Sequence, residues 1–223
     1  MERPGSSVRL GEKESKVLPG STELGQNVDA GNAAEAEKPA SARYVIDARA
    51  SRLTVRVFAK GVLSALGHNP TVAVRDFSGE AWVDAEKVEA ATLRITVAAA
   101  SLGVTDDISD KDRREIEGQM FEDVLEVTNY PEIVYACSRV SANKTAEGQY
   151  SVELNGELTL HGVTRNQAVS ARVMLQGTTL TAFGDFPLNQ TDYGIRLVSA
   201  LGGALKVKDE VKCSFNIVAQ KRG

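Results

Sequence analysis

Ser151-Val152-Glu153-Leu154-Asn155-Gly156-Glu157-Leu158-Thr159-Leu160 places Val152, Leu154, Leu158 and Leu160 on one parity, against Ser151, Glu153, Glu157 and Thr159 on the other. Successive side chains of an extended chain point to opposite sides, so a period of two marks a strand with one buried face. The pattern recurs on both sides of this stretch. Leu53, Val55 and Val57 alternate with Thr54 and Arg56, and Leu93, Ile95 and Val97 with Thr92, Arg94 and Thr96. Near the end, Val211, Cys213, Phe215 and Ile217 oppose Lys212, Ser214 and Asn216.

Reading this alternation from Arg43 onward predicts eight strands, near 52–58, 71–83, 91–102, 132–141, 149–161, 166–175, 179–189 and 209–220. Asn143 to Gly148 and Gly177 to Thr179 supply turns between them. One stretch has a different period. From Asp110 to Val127 the apolar residues Ile116, Met120, Phe121, Val124 and Leu125 recur at helical spacing. Ser109 or Asp110 can cap this helix, and acids at 110 and 112 suit its positive end. Asn129-Tyr130-Pro131 is expected to stop it, because the residue before proline avoids the α region. The fold class is therefore all-β, with one amphipathic helix between the third and fourth strands. An eight-stranded antiparallel up-and-down barrel buries the apolar face and removes exposed edges. A two-sheet sandwich satisfies the same alternation. Gly156, Gly162 and Gly184 stand in or beside strands, where glycine allows a bend, a bulge or a close approach.

Residues 1–42 read differently. They contain no Phe, Tyr or Trp, hold Pro4, Pro19 and Pro39, and are interrupted by glycine at 5, 11, 20, 25 and 31. Such a segment buries too little apolar surface to offset its ordering entropy, so a disordered polar N-terminal segment is expected, followed by a barrel domain over 43–223. It also lacks the apolar run of a secretory signal. A cytoplasmic location is the expectation, or a periplasmic one if the gene starts elsewhere.

Composition narrows the function. A formal net charge of −4 supplies no basic excess for nucleic acid. No apolar run reaches the roughly 20 residues of a membrane-spanning helix. Two cysteines make no disulfide framework, and no metal-ligand spacing is present. Cys137 and Cys213 share parity with apolar neighbours and read as inward core residues. His161 ends a strand beside Gly162, and His68 sits in Gly67-His68-Asn69-Pro70; both read first as turn residues. The acids of Thr105-Asp106-Asp107 and Asp110-Lys111-Asp112 lack the EF-hand offsets. Ser64, Ser138 and Ser199 have no nucleophile elbow. No catalytic residue, metal site or cofactor is expected.

Three longer stretches carry a resemblance: ELTLHGVT at Glu157 to Thr164, MFEDVLEVTNYPEIVYACSRV at Met120 to Val140, and FPLNQTDYGI at Phe186 to Ile195. With YVID at Tyr44 to Asp47 and DFSGEAWVD ending at Asp84, they resemble the YceI-like family over about residues 43–220. The resemblance implies a lipocalin-like barrel whose apolar interior holds a polyisoprenoid or similar amphiphilic chain, without catalysis. The usual Asn-Arg-Ser/Thr-Asp-Phe-Gly pattern reads Asn189-Gln190-Thr191-Asp192-Tyr193-Gly194 here, so its arginine is replaced by Gln190. Leu63 to Pro70 marks a branch of the family whose ligand is not implied.

The expected partner is thus a long-chain isoprenoid or fatty amphiphile, carried, stored or sequestered inside the barrel. A homodimer is left open, and no nucleic acid or integral membrane segment is expected. The alternative is a ligand-free barrel, packed solid, that acts through its surface or its acidic tail. With only six Phe, five Tyr and one Trp, branched aliphatics dominate the interior, which suits a flexible hydrocarbon better than a flat ring. By parity the ligand-binding wall is Leu53, Val55, Leu93, Ile95, Ile133, Tyr135, Leu154, Leu158, Phe186, Phe215 and Ile217, with Val211 also inward. Met120, Phe121 and Leu125 of the helix are expected to complete it, as a lid or a plug.

Overall fold

Three two-residue turns build the longest wall of the molecule. In the computed structural model, which describes residues 41–60, 69–197, 199–200 and 205–222, strands β7 (Glu132–Ala146), β8 (Gln149–Leu160), β9 (Val163–Gln176) and β10 (Thr179–Asn189) follow one another as hairpins. Residues 1–40 and His68 lie outside the described residues. At the β8–β9 turn both central residues have positive φ, His161 at 51° and Gly162 at 72°. That is the backbone of a type I′ turn, whose twist matches its flanking strands. After the two-residue strand β11 (Ser199–Ala200), β12 (Leu205–Arg222) continues the wall, pairing with β10 from Asn189↔Glu210 to Thr179↔Gln220.

The N-terminal strands are short: β1 (Ala42–Ile46), β2 (Arg52–Lys60), β3 (Thr71–Val74), β4 (Phe77–Val83), β5 (Thr92–Ala98) and β6 (Leu102–Val104). β1 pairs with β4 and with the end of β12, while β2 pairs with β3 and with the earlier part of β12. The ring β1-β4-β5-β7-β8-β9-β10-β12 closes antiparallel on itself, giving the eight-stranded barrel. The two expected strands at 71–83 and 91–102 are each broken in two, and β1 precedes the first expected strand. Both differences have one cause. Breaks at 47–51, 75–76 and 99–101 lie side by side and form a crease across the sheet.

Hydrogen bonds at the crease replace the missing ladder. The Val218 N–H donates to Ser51 Oγ (2.9 Å), and the Ser51 hydroxyl donates to the Asp47 carbonyl (2.7 Å). The Arg75 N–H reaches the Ser101 carbonyl and the Ala98 N–H the Asp76 carbonyl. Among the described residues β6, beyond the crease, pairs only with β3, and β5–β7 pairing ends at Ala98↔Glu132. The free edge of β6 is covered by α1 (Asp110–Gln119), which brings Glu117 Oε1 to the Val104 N–H at 2.9 Å and the Arg113 guanidinium to the Val104 and Asp106 carbonyls. An open edge is an invitation to pair with another chain, and this helix closes it.

Ser109 caps α1 by accepting from the Asp112 N–H. After Gln119 the helix widens into one π turn over Met120–Val124, with the Leu125 N–H bonded to the Met120 carbonyl. It then stops at Glu126, whose φ is 45°. The stop thus comes earlier than Asn129-Tyr130-Pro131, through a left-handed residue whose carbonyl accepts from the Asn129 and Tyr130 N–H groups.

The larger buried cluster includes Phe77, Leu102, Val104, Leu125, Leu158, Leu160, Leu188, Tyr193, Ile195 and Ile217. At the other end Tyr44, Val83, Ala91, Leu180 and Ala219 pack together, and Val88, on a short 3-10 turn, packs with Val152 and Ala171.

Candidate functional site

Inward side chains of the eight strands do not meet at the barrel axis. They enclose a cavity of about 380 Å³ that reaches from Val83, Val88 and Ala91 at one end to Val104, Leu125 and Ile195 at the other. Of the residues expected on its wall, Leu53, Val55, Leu93, Ile95, Met120, Leu125, Ile133, Tyr135, Leu154, Leu158, Phe186, Phe215 and Ile217 all line it. Phe121 does not. It packs against the main core instead, one residue further round the helix than Met120, which with Ile116, Gln119 and Val124 makes the cavity-facing stripe.

Strand parity carries this placement, and one irregularity changes it. Ile133, Tyr135 and Cys137 point inward on β7, but a bulge between Cys137 and Val140 shifts the register by one. Val140, of the opposite parity, therefore lines the cavity. No sequence signal marks that bulge. Gln119 and Gln190 also line the cavity and escape a search for apolar residues, although Gln119 stands on the apolar stripe at three residues from Ile116.

The wall is nearly free of charge. Among the described residues Glu80 is its one charged residue, and its carboxylate is held by the Arg43 side chain at 2.6 Å. Tyr135 lies across Gly156, where a Cβ would come within 2.6 Å of its ring, and its hydroxyl sits 3.1 Å from the Gln167 carbonyl and 3.2 Å from that of Leu154. Burial raises the Tyr135 phenol well above its ordinary range. Burial likewise pushes the Cys213 thiol up to about 12, so it stays protonated. Both cysteines are free thiols, Cys137 buried with its Sγ 3.3 Å from the Arg139 carbonyl.

At the helix end of the barrel a polar cluster ties three elements together. His161 Nε2 lies 3.1 Å from Glu126 Oε1, and Nδ1 lies 3.3 Å from the Tyr193 carbonyl oxygen. The Tyr130 ring stacks at a tilt on the imidazole, with centroids 4.4 Å apart. Hydrogen bonds from Asn129 and then His161 hold the Glu126 carboxyl below its usual range. His161 thus acts as a turn residue that fastens the chain after the helix to the β8–β9 corner. Gln190, in the place of the expected arginine, donates to the Lys208 and Asp209 carbonyls at the start of β12.

A second cleft, about 170 Å³, lies outside, between the first part of β9 and the last part of β10. Pairing of these strands stops at Phe183↔Arg172. Leu188 borders both this cleft and the central cavity.

Comparison with known proteins agrees with this architecture. A UPF0312 protein of Shewanella sp. is 30% identical over 138 residues, which is 61% of this chain and 65% of the relative's length. A UPF0312 protein of Pseudomonas savastanoi pv. phaseolicola is 28% identical over 163 residues, covering 70% of this chain and 78% of the relative. Among solved structures, BcnA of Burkholderia cenocepacia superposes with a TM-score of 0.61 at 22% identity, over 78% of this chain and 99% of that one. A polyisoprenoid binding domain from Saccharophagus degradans, implicated in plant cell wall breakdown, superposes at 0.58 with 16% identity, over 80% and 98%. The model of the YceI-like domain matches residues 44–219, so this chain belongs to the YceI-like family.

Proposed function

We propose that this protein binds a long apolar or amphiphilic chain, a polyisoprenoid or another lipid, inside its barrel without transforming it. The observation that carries this reading is the cavity of about 380 Å³ with its aliphatic wall. A hydrocarbon that enters it gains about 0.8 kcal/mol per buried CH₂, before ordering costs. The binding named for the Saccharophagus domain is of the same kind. A barrel acting only through its surface has no use for such a void.

The lining also favours binding over catalysis. Tyr135 and Cys213 are both held neutral by burial and Glu80 is paired with Arg43, so none of the three is poised as a base or nucleophile. Entry is best placed where α1 covers the divergence of β6 from β7, because the helix contributes Ile116, Met120 and Val124 to the cavity wall. Carriage, storage or sequestration all follow from the same binding.

Organic extraction of the purified full chain, followed by mass spectrometry, tests the reading. A long-chain lipid in stoichiometric amount is expected. An empty extract, together with no uptake of an added apolar fluorophore, would overturn it.

A further inference from the structure

Among the described residues the non-glycine positions with positive φ are Glu126, at 45°, and His161, at 51°. Neither backbone calls for the residue it has. A left-handed residue just past a helix is ordinarily glycine, and the first place of a type I′ turn ordinarily asparagine, since both adopt that conformation at little cost. What Glu126 and His161 share is each other. Glu126 Oε1 and His161 Nε2 lie 3.1 Å apart, across 35 residues of chain. Strain of this kind persists where the surroundings over-determine it, and it gathers at ligand clamps and switch regions.

The contact stands at the end of the part of the cavity wall that a helix supplies. On a regular α-helix positions four apart advance by about 40°, so Ile116, Met120 and Val124 would drift away from one another round its surface. The wider π turn over Met120–Val124 takes up that drift and keeps all three on the cavity. Beyond it the chain is bonded to itself. The Leu125 and Val127 N–H groups reach the Met120 and Phe121 carbonyls, and the Glu126 carbonyl accepts from Asn129 and Tyr130. The imidazole fastens this piece to the barrel, with Glu126 at one nitrogen, the Tyr193 carbonyl 3.3 Å from the other, and the Tyr130 ring stacked on its face. Pro131, whose carbonyl accepts from the Ala99 N–H at 2.9 Å, marks where the piece ends.

We propose that the Glu126–His161 contact is the latch of a gate, residues 120–130, which swings off the cavity as one piece when the contact parts and so sets how fast the apolar chain enters and leaves. The inference rests on the cavity being the binding site and adds what governs passage into it. Parting frees both left-handed residues from the contact that holds them strained, which offsets part of the loss of the hydrogen bond.

The test follows release of the apolar fluorophore N-phenylnaphthylamine from the delipidated full chain by stopped-flow dilution, together with its equilibrium affinity. His161→Asn keeps a residue suited to the turn, and Glu126→Gly one suited to the helix end, so each removes the contact without straining the backbone. Each should release the fluorophore about tenfold faster, as loss of one hydrogen bond to a charged group from the closed form implies. Entry should quicken equally, so the affinity stays within about twofold of the parent while the closed form still predominates. The double variant should be no faster than either single one, because both lack the same contact. Release at the parental rate in either single variant overturns the latch. Faster release matched by an equal loss of affinity also overturns it, since the two residues would then hold the wall and not govern passage. A double variant in which the two effects multiply does the same. A parent chain that takes up no fluorophore removes the cavity reading, and the latch with it.

Discussion

Strands β7 to β10 and β12 run 11 to 18 residues each, whereas β1 to β6 run three to nine. On the long wall two-residue turns join β7 to β10, and the β7–β8, β8–β9 and β10–β12 ladders are nearly continuous, while β9–β10 pairing ends at Phe183↔Arg172. The creased wall is held by side chains that stand in for backbone: Ser51 for the β1–β2 break, Asp106 Oδ2 on the Thr71 N–H, and Glu117 and Arg113 on the edge of β6. The same barrel therefore has one side built from cooperative backbone pairing and one side built from individual contacts. Local openings are drawn from regions with fewer such ladders. Local opening of the barrel is therefore expected on the creased side, next to the helix.

The comparison can be broken by experiment, beginning with the largest effect. Leu158→Ala on the long wall should cost about 2–5 kcal/mol in urea unfolding, as a buried leucine in a packed ladder does. Leu53→Ala, half-buried on the creased wall, should fall at the lower end, ~2 kcal/mol. Equal losses would mean that the two walls are equally rigid. Glu117→Ala removes the acceptor for the Val104 N–H and should cost about 1–3 kcal/mol. It should also speed release of a bound apolar fluorophore, and unchanged release would separate the helix from the exchange route. Ser109→Ala, which deletes the cap of α1, should cost ~1 kcal/mol by the same unfolding measurement.

Acid gives a smaller effect with a definite sign. The Glu126 carboxyl is held low in the folded state, so its anchoring is fully present above the ordinary carboxylate value of about 4.3 and is lost as the pH falls through the folded value. An NMR titration should find Glu126 ionising below ~4.3, and Asn129→Ala should bring it back up toward that value. A Glu126 that titrates normally would show that the chain after the helix is not fastened to His161. Smallest of all is Lys144→Ala near the exposed end of β7, which should leave the melting temperature unchanged although it breaks the 2.8 Å pair with Glu147.

Legibility in the sequence follows the same division. On the long wall, parity alone placed Leu154, Leu158, Phe186, Phe215 and Ile217 in the cavity, because each strand is long enough for its alternation to be read without a break. On the creased wall, parity also placed Leu53, Val55, Leu93 and Ile95, but the breaks at 75–76 and 99–101 were invisible. Nothing in the types Arg75-Asp76 or Ala99-Ala100-Ser101 demands an interruption. It arises where neighbouring strands bend together.

Residue types by themselves determined the all-β class, the single amphipathic helix with its Ser109 cap, the turns at His161-Gly162 and Gly177, and an aliphatic inward face. Each of these is a local property, set by which side chains an extended or helical backbone turns to one side. Tertiary structure alone decided that the sheet closes, that one strand, β12, serves both halves of the broken first position, and that the bulge before Val140 reverses parity within β7. It also decided that Phe121 stands beside the cavity while Gln119 stands in it. Those outcomes depend on partners far apart in the chain, where register and packing volume are set by the closed ring and not by any segment's own preference.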